Sequence, residues 1–220
     1  MNNTFHISSE IAAVIDLHED IFALHCADIK TLLHKQAQRI REGFLASHTA
    51  VAFHLICWSP DFKGVSPQTI FQQPCPSLDT CKQAIAREYG YSDWADVLQR
   101  NQELNRSFEN AVDAVVTGDM ATLITLLSEH SSLTTQRSQY GHRATLLHYL
   151  GANGVETQRQ TTPYAAAQIA QVLIENGADV NAKANIYGGS TALELAVTSA
   201  HPHQAGVIDD LANILKQNST

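Results

Sequence analysis

No basic arm, no long apolar run and no recognisable catalytic signature occurs in these 220 residues. Lysine and arginine total 14 against 22 acidic residues, a net charge of −8. Nine basic face twelve acidic residues up to Arg106, and five face ten beyond it, so both halves are acidic. Without a Lys/Arg run to neutralise phosphates, nucleic acid is not an expected partner. No stretch approaches the roughly 18 apolar residues of a membrane span. The start of the chain lacks a positively charged leader region, so no export signal is read and a cytoplasmic location is expected. P-loop, GxSxG and GxGxxG signatures are missing. Cysteine is confined to the first half, at Cys26, Cys57, Cys75 and Cys81. Without an export signal these are expected to be reduced thiols rather than disulfides.

Eleven histidines are present, but His54 with Cys57, and His201 with His203, lack the paired spacing that tetrahedral zinc needs. No metal or other cofactor is expected. An alternative reading as an enzyme or metal-dependent sensor rests on the His, Cys and Glu content of both halves, and His148, Glu156, Ser199 and His201 are a catalytic constellation that neighbouring repeats could bring together in space.

What is abundant is alanine, leucine, isoleucine and glutamine, with aromatics at 7% and no sustained β-branched alternation. The fold class expected is all-α. Ser9 to about Cys26 reads as a helix with Ile11, Val14, Ile15 and Phe22 on one stripe, widened by Leu17, Ile21 and Leu24. The residues before it read as a frayed polar end. Asp28 caps a second helix through Ile40, with Gly43 as its stop. Ala50 to Trp58 reads as a buried helix, and Pro60 to Pro76 as a long connection with a short turn near Gln68 to Gln72. Ser77 caps a helix to Glu88, Gly90 ends it and Ser92 caps the next, which runs from Asp93 to about Phe108. A boundary near Arg106 divides an N-terminal helical region, residues 1–106, from residues 107–220.

The second half carries a repeated pattern. Val172 to Ala182 reads as a helix end closed by Gly177, with Asp179 and Asn181 suited to the following turn. Thr145-Leu146-Leu147-His148 opens a helix about thirty residues upstream, and Gly118-Asp119 separates two apolar helices at Phe108 to Thr117 and Met120 to Glu129. Further pairs are read at Thr145 to Gly151 with Tyr164 to Asn176, and at Thr191 to Ser199 with Gly206 to Gln217.

These segments resemble ankyrin repeats, with Leu146 where that family prefers proline. Ala84 to Trp94 and the LLHY, YGG and His201-Pro202 segments are similar to a group of bacterial ankyrin-repeat proteins. The resemblance implies a helical solenoid of about three irregular repeats, capped by the N-terminal helices. The core dipeptides Leu126-Leu127, Leu173-Ile174 and Ile214-Leu215 lie 47 and 41 residues apart, against about 33 in a regular array. The excess is insertion, at Val155 to Pro163 and Ala200 to Ala205. The resemblance also implies that His148 hydrogen-bonds backbone in the adjacent loop, and that the protein is an interaction module rather than an enzyme. The partner-binding residues expected are Arg137, Tyr140, His142 and Arg143 on one loop finger and Lys183, Asn185 and Tyr187 on the next, with arginine and aromatic groups as anchors.

Overall fold

A computed structural model describes residues 4–23 and 28–219. Twelve α-helices and one two-stranded sheet are formed among them. The chain divides into two compact units, Ser9–Leu104 and a second that joins Asn105–Thr220 to Met1–Ser8. The division in the middle of the chain falls beside the expected one, but the start of the chain belongs with the second unit.

In the Ser9–Leu104 unit, α1 (Ser9–Ala23) buries Ile11, Val14, Leu17 and Ile21. The expected extension of this helix through Leu24 to Cys26 lies outside the described residues. The next helix, α2 (Ile29–Leu45), begins where Asp28 accepts the Thr31 N–H, and it buries Ile29, Leu32, Leu33, Ala37 and Ile40 on one face. It does not stop at Gly43. A Cβ there would stand 2.8 Å from Val51 Cγ2 and 3.0 Å from Leu17 Cδ1, so glycine lets α2 approach its neighbours closely. The apolar α3 (Thr49–Trp58) follows and is helical, as its neighbours suggested.

The proline-rich connection holds 3₁₀ turns at Pro60–Phe62 and Ile70–Gln72, pinned by buried Phe62 and Ile70. Ser77 caps α4 (Leu78–Glu88) by accepting from Thr80 N–H, and Gly90 turns the chain at φ +79. Asp93, not Ser92, caps α5 (Trp94–Gln99): its carboxylate accepts from Asp96 N–H at 2.9 Å. The long polar helix expected to Phe108 breaks after Gln99. Residues 100–103 have no apolar face to bury, and Asn101 and Gln102 meet the start of α2 instead: Ile29 N–H donates to Gln102 O and Lys30 N–H to Asn101 Oδ1.

In the other unit, Asn105 caps α6 (Arg106–Thr117), accepting from Ser107 and Phe108 N–H. Gly118, at φ +77, closes it, and Asp119 caps α7 (Met120–Glu129). Then come α8 (Leu146–Tyr149), α9 (Ala166–Glu175), α10 (Ala192–Thr198), α11 (Ala200–Gln204) and α12 (Ile208–Gln217). The first helices of the three pairs stack in succession, α6 on α8 and α8 on α10, while α12 packs on α9 and α10. Their shared apolar core includes Phe108, Val112, Leu123, Leu147, Leu173, Leu195 and Leu211.

The end expected to fray is paired instead. Strand β1 (Phe5–His6) lies antiparallel to β2 (Thr162–Pro163) in the insertion, and Thr4 Oγ1 donates to Thr117 O at 2.7 Å. Backbone groups of both segments find partners that neither has within its own stretch of chain.

Candidate interaction surface

The two expected fingers lie side by side and are stitched together. In the first, Ser138 N–H donates to Ala144 O at 2.7 Å, closing a loop through residues 139–143. In the second, Ala184 and Ser190 exchange backbone hydrogen bonds at 2.9 and 3.3 Å, so the segment between them forms a narrow tip. That tip needs three successive residues in the left-handed region: Tyr187 at φ +48, Gly188 at +85 and Gly189 at +114. Glycine accepts this readily, whereas Tyr187 and, on the first finger, Arg143 at φ +55 hold a conformation that side chains disfavour.

Arg137 bridges the fingers. Its Nη1 donates to Arg143 O at 3.0 Å and to Lys183 O at 2.7 Å. Asn185 adds a second bridge, its backbone N–H reaching His142 O at 2.7 Å and its Nδ2 reaching Gly141 O at 3.2 Å.

The seven residues expected to contact a partner therefore separate into two groups. Tyr140 is 2% exposed and His142 fully buried, so neither side chain offers surface to a partner in this conformation. They pack inward, their rings 5.9 Å apart, with His142 also edge-on to Tyr149 at 6.1 Å. Lys183 and Asn185 are exposed, Arg137 and Arg143 half-buried, and Tyr187 is 69% exposed at the tip, its hydroxyl donating to Asn153 Oδ1 at 2.9 Å.

Behind the first finger sits a buried polar cluster that the sequence reading missed. His142 Nδ1 accepts from Ala144 N–H, which leaves the proton on Nε2, 3.2 Å from Glu156 Oε2. The pair has ion-pair distance without hydrogen-bond alignment, and both atoms lack a hydrogen-bonded partner. The other Glu156 oxygen accepts from Tyr149 Oη and Arg159 Nη1, each at 3.2 Å. Arg159 continues to Glu109 at 2.5 Å and to Asp113 at 2.9 Å, both on α6.

Burial alone would raise the Glu156 pKa, but the facing His142 and Arg159 outweigh it and hold the carboxyl at about 2. Glu109 moves the other way, raised by burial despite Arg159. The visible signal in the sequence was the charge spacing, Glu109 to Asp113 at i,i+4 and Glu156 to Arg159 at i,i+3.

His148 behaves as the resemblance implied. Its Nδ1 accepts from Thr145 N–H at 3.1 Å, so Nε2–H donates to Ser190 O at 3.1 Å, at the base of the second finger. Burial, first of all, lowers its pKa to about 4, and the neutral ring is the form that makes both bonds. Ser199 donates to Ala152 O, so His148, Glu156 and Ser199 each serve different partners.

In the Ser9–Leu104 unit, His54 donates from Nδ1 to Glu88 Oε2 at 2.7 Å and its Nε2 lies 3.2 Å from His18 Nε2, all three side chains being buried. Among the described residues no three His, Cys, Asp or Glu side chains are placed to hold a metal ion. Cys57, Cys75 and Cys81 are unbonded, and burial pushes the Cys81 thiol up to about 12. No helix among the described residues is long and apolar enough to cross a membrane. No family model, no curated protein and no solved structure matches the chain.

Proposed function

We propose that residues 105–220 form a short, irregular ankyrin-type array whose two stitched fingers bind a protein partner. The observation that carries this reading is the pair of fingers itself. Exposed Tyr187 and half-buried Arg143 stand on backbone in disfavoured conformations, exposed Lys183 lies beside them, and Arg137, Asn185 and the His148 bond to Ser190 tie the fingers down. A loop fixed in this way loses little entropy when a partner docks, which favours affinity. Aromatic and arginine side chains are the usual centres of binding energy. The stacking of α6, α8 and α10, the αL caps at Gly118 and Gly177 and the histidine tie between neighbouring repeats support the ankyrin-type assignment.

Tyr140 and His142 take a different part from the contact role expected of them: they shape the first finger from inside. The binding reading is tested by pull-down from the native cell with wild type and a Tyr187→Ala, Arg143→Glu double variant. Loss of a specific partner with an unchanged melting temperature is the expected result. Retention of every specific partner by the double variant overturns this surface.

A further inference from the structure

The Ser9–Leu104 unit contains a hollow of about 400 Å³ between α2, α4 and α5. Lys30, His34 and Lys35 line it from α2, Lys82 from α4, and Trp94 and Leu98 from α5. Positions 30 and 34, and 31 and 35, are one helical turn apart, as are 94 and 98, so one face of each helix supplies the wall. Three of the chain's six lysines thus converge on one hollow in a protein of net charge −8. None of the three forms an ion pair with a described residue, and no carboxylate is among the lining residues. Lys82 Nζ stands 5.4 Å from the centre of the Trp94 ring, and the His34 ring lies 6.4 Å from it.

Asp28, which caps α2 and accepts from Thr31, offsets part of the Lys30 charge, but three lysines against one carboxylate leave an excess of positive charge that attracts an anion, and concave walls concentrate the field. Lysine is a point-charge binder of phosphate and carboxylate groups. Trp94 and Leu98, the latter 52% exposed, add an apolar side that a bare inorganic ion would leave unused. The volume falls within the range of small-ligand pockets, roughly 300–1,000 Å³. A nucleic-acid strand is a poor fit, because it needs a basic track rather than an isolated hollow on an acidic protein.

We propose that this hollow binds a small planar molecule bearing a phosphate or carboxylate group, its ring against Trp94 and its anion among Lys30, Lys35 and Lys82. The depressed pKa of His34, caused by burial and then by the charge of Lys82, fits a site with an excess of cations. The same crowding predicts weaker binding as salt is raised.

The test is calorimetric titration of the full chain with AMP, benzoate and inorganic phosphate. Saturable binding of AMP or benzoate, tighter than that of inorganic phosphate, is expected. Lys82→Gln and Lys35→Gln should each weaken it about tenfold or more, equivalent to about 1.4 kcal/mol. Lys63→Gln, outside the hollow, should leave it unchanged. Thermal melting of each variant checks folding, and Lys35→Gln carries the test should Lys82→Gln fail to fold. The proposal is overturned by no saturation with either planar anion up to about 5 mM, by inorganic phosphate binding as tightly, or by an equal loss in Lys63→Gln.

Discussion

Within residues 105–220, the regular helix end at Val172–Ala182 and the insertion at Val155–Pro163 are held by opposite kinds of interaction. The first buries Leu173, Ala178 and Val180 and turns on Gly177 at φ +92, with a Gly177 N–H bond to Ile174 O and an Ala178 N–H bond to Leu173 O. It is apolar packing closed by a glycine cap. The second buries Glu156, Thr157, Gln160, Thr161 and Thr162, and stays in place because Arg159, His142 and Tyr149 compensate Glu156, while Gln160 Nε2 and Thr161 Oγ1 donate to the carbonyls of Val155 and Val116. The apolar helix end should tolerate substitution of similar bulk, whereas the insertion is expected to fail when one charge is removed. The insertion also supports the first finger through His142, so the part of the unit that departs from regularity underlies the proposed binding surface.

The contrast is sharpest at Arg159. Arg159→Ala leaves Glu109 and Glu156 buried without their cation, and a loss of about 3–5 kcal/mol is expected in denaturant melts. Protonating the stranded carboxylates should recover part of it, so the gap from wild type should narrow at lower pH. Leu173→Ala is expected to cost about 2–5 kcal/mol by leaving a cavity, with little dependence on pH. Should the two variants show the same pH dependence, the distinction between ionic insertion and apolar scaffold fails.

Acid should dissect the unit in order. His148, normally near 6.5, is lowered to about 4 in the fold, so it is bound neutral. Its contribution is complete above pH 6.5 and is lost as pH falls towards 4, a change of about 3 kcal/mol for a shift of that size. Glu156, held at about 2 against 4.5, contributes above pH 4.5 and loses its contribution only as pH falls towards 2. Hydrogen exchange should therefore show the Ser190 end of the second finger loosening before the Val155–Pro163 segment. The reverse order would place the weaker link in the insertion.

The smallest stability effect is expected at the tip. Tyr187→Ala removes an exposed side chain and its Asn153 bond and should change stability by only about 0.5 kcal/mol or less. A loss several times larger would make Tyr187 a structural residue and remove it from the proposed surface.

The elements that could be read from sequence are those whose cause is local. Asp28 and Ser77 cap their helices, Gly118-Asp119 turns α6 into α7, and the α1 stripe buries Ile11 and Val14 with Leu17 and Ile21 while Ile15 and Phe22 stay half-buried, because each depends on residues within a turn or two. The misreadings share a different cause. Gly43 resembled a helix stop, but it is set by the approach of Val51 and Leu17. The chain start looked frayed because its strand partner lies more than 150 residues away, at Thr162–Pro163. Tyr140 and His142 looked like surface anchors, since nothing near them in sequence reveals that Glu156 and Tyr149 meet His142, against which Tyr140 packs. The lysine-lined hollow is likewise invisible along the chain, with Lys30, Lys35 and Lys82 scattered over 52 positions and brought together only by the packing of α2 on α4. Of the candidate surface, Arg143, Lys183, Asn185 and Tyr187 were legible as exposed or partly exposed finger residues, while the bridging role of Arg137 was not.

The central claim, that the stitched fingers are the binding surface, is tested most directly by site-specific photo-crosslinking in the native cell. A crosslinking residue placed at position 187 is compared with one at position 124, on α7, where Ile124 is 52% exposed outside the fingers. The account predicts a discrete crosslinked protein from position 187 that is absent from position 124. Equal crosslinking from both positions, or a discrete product from 124 alone, would contradict it.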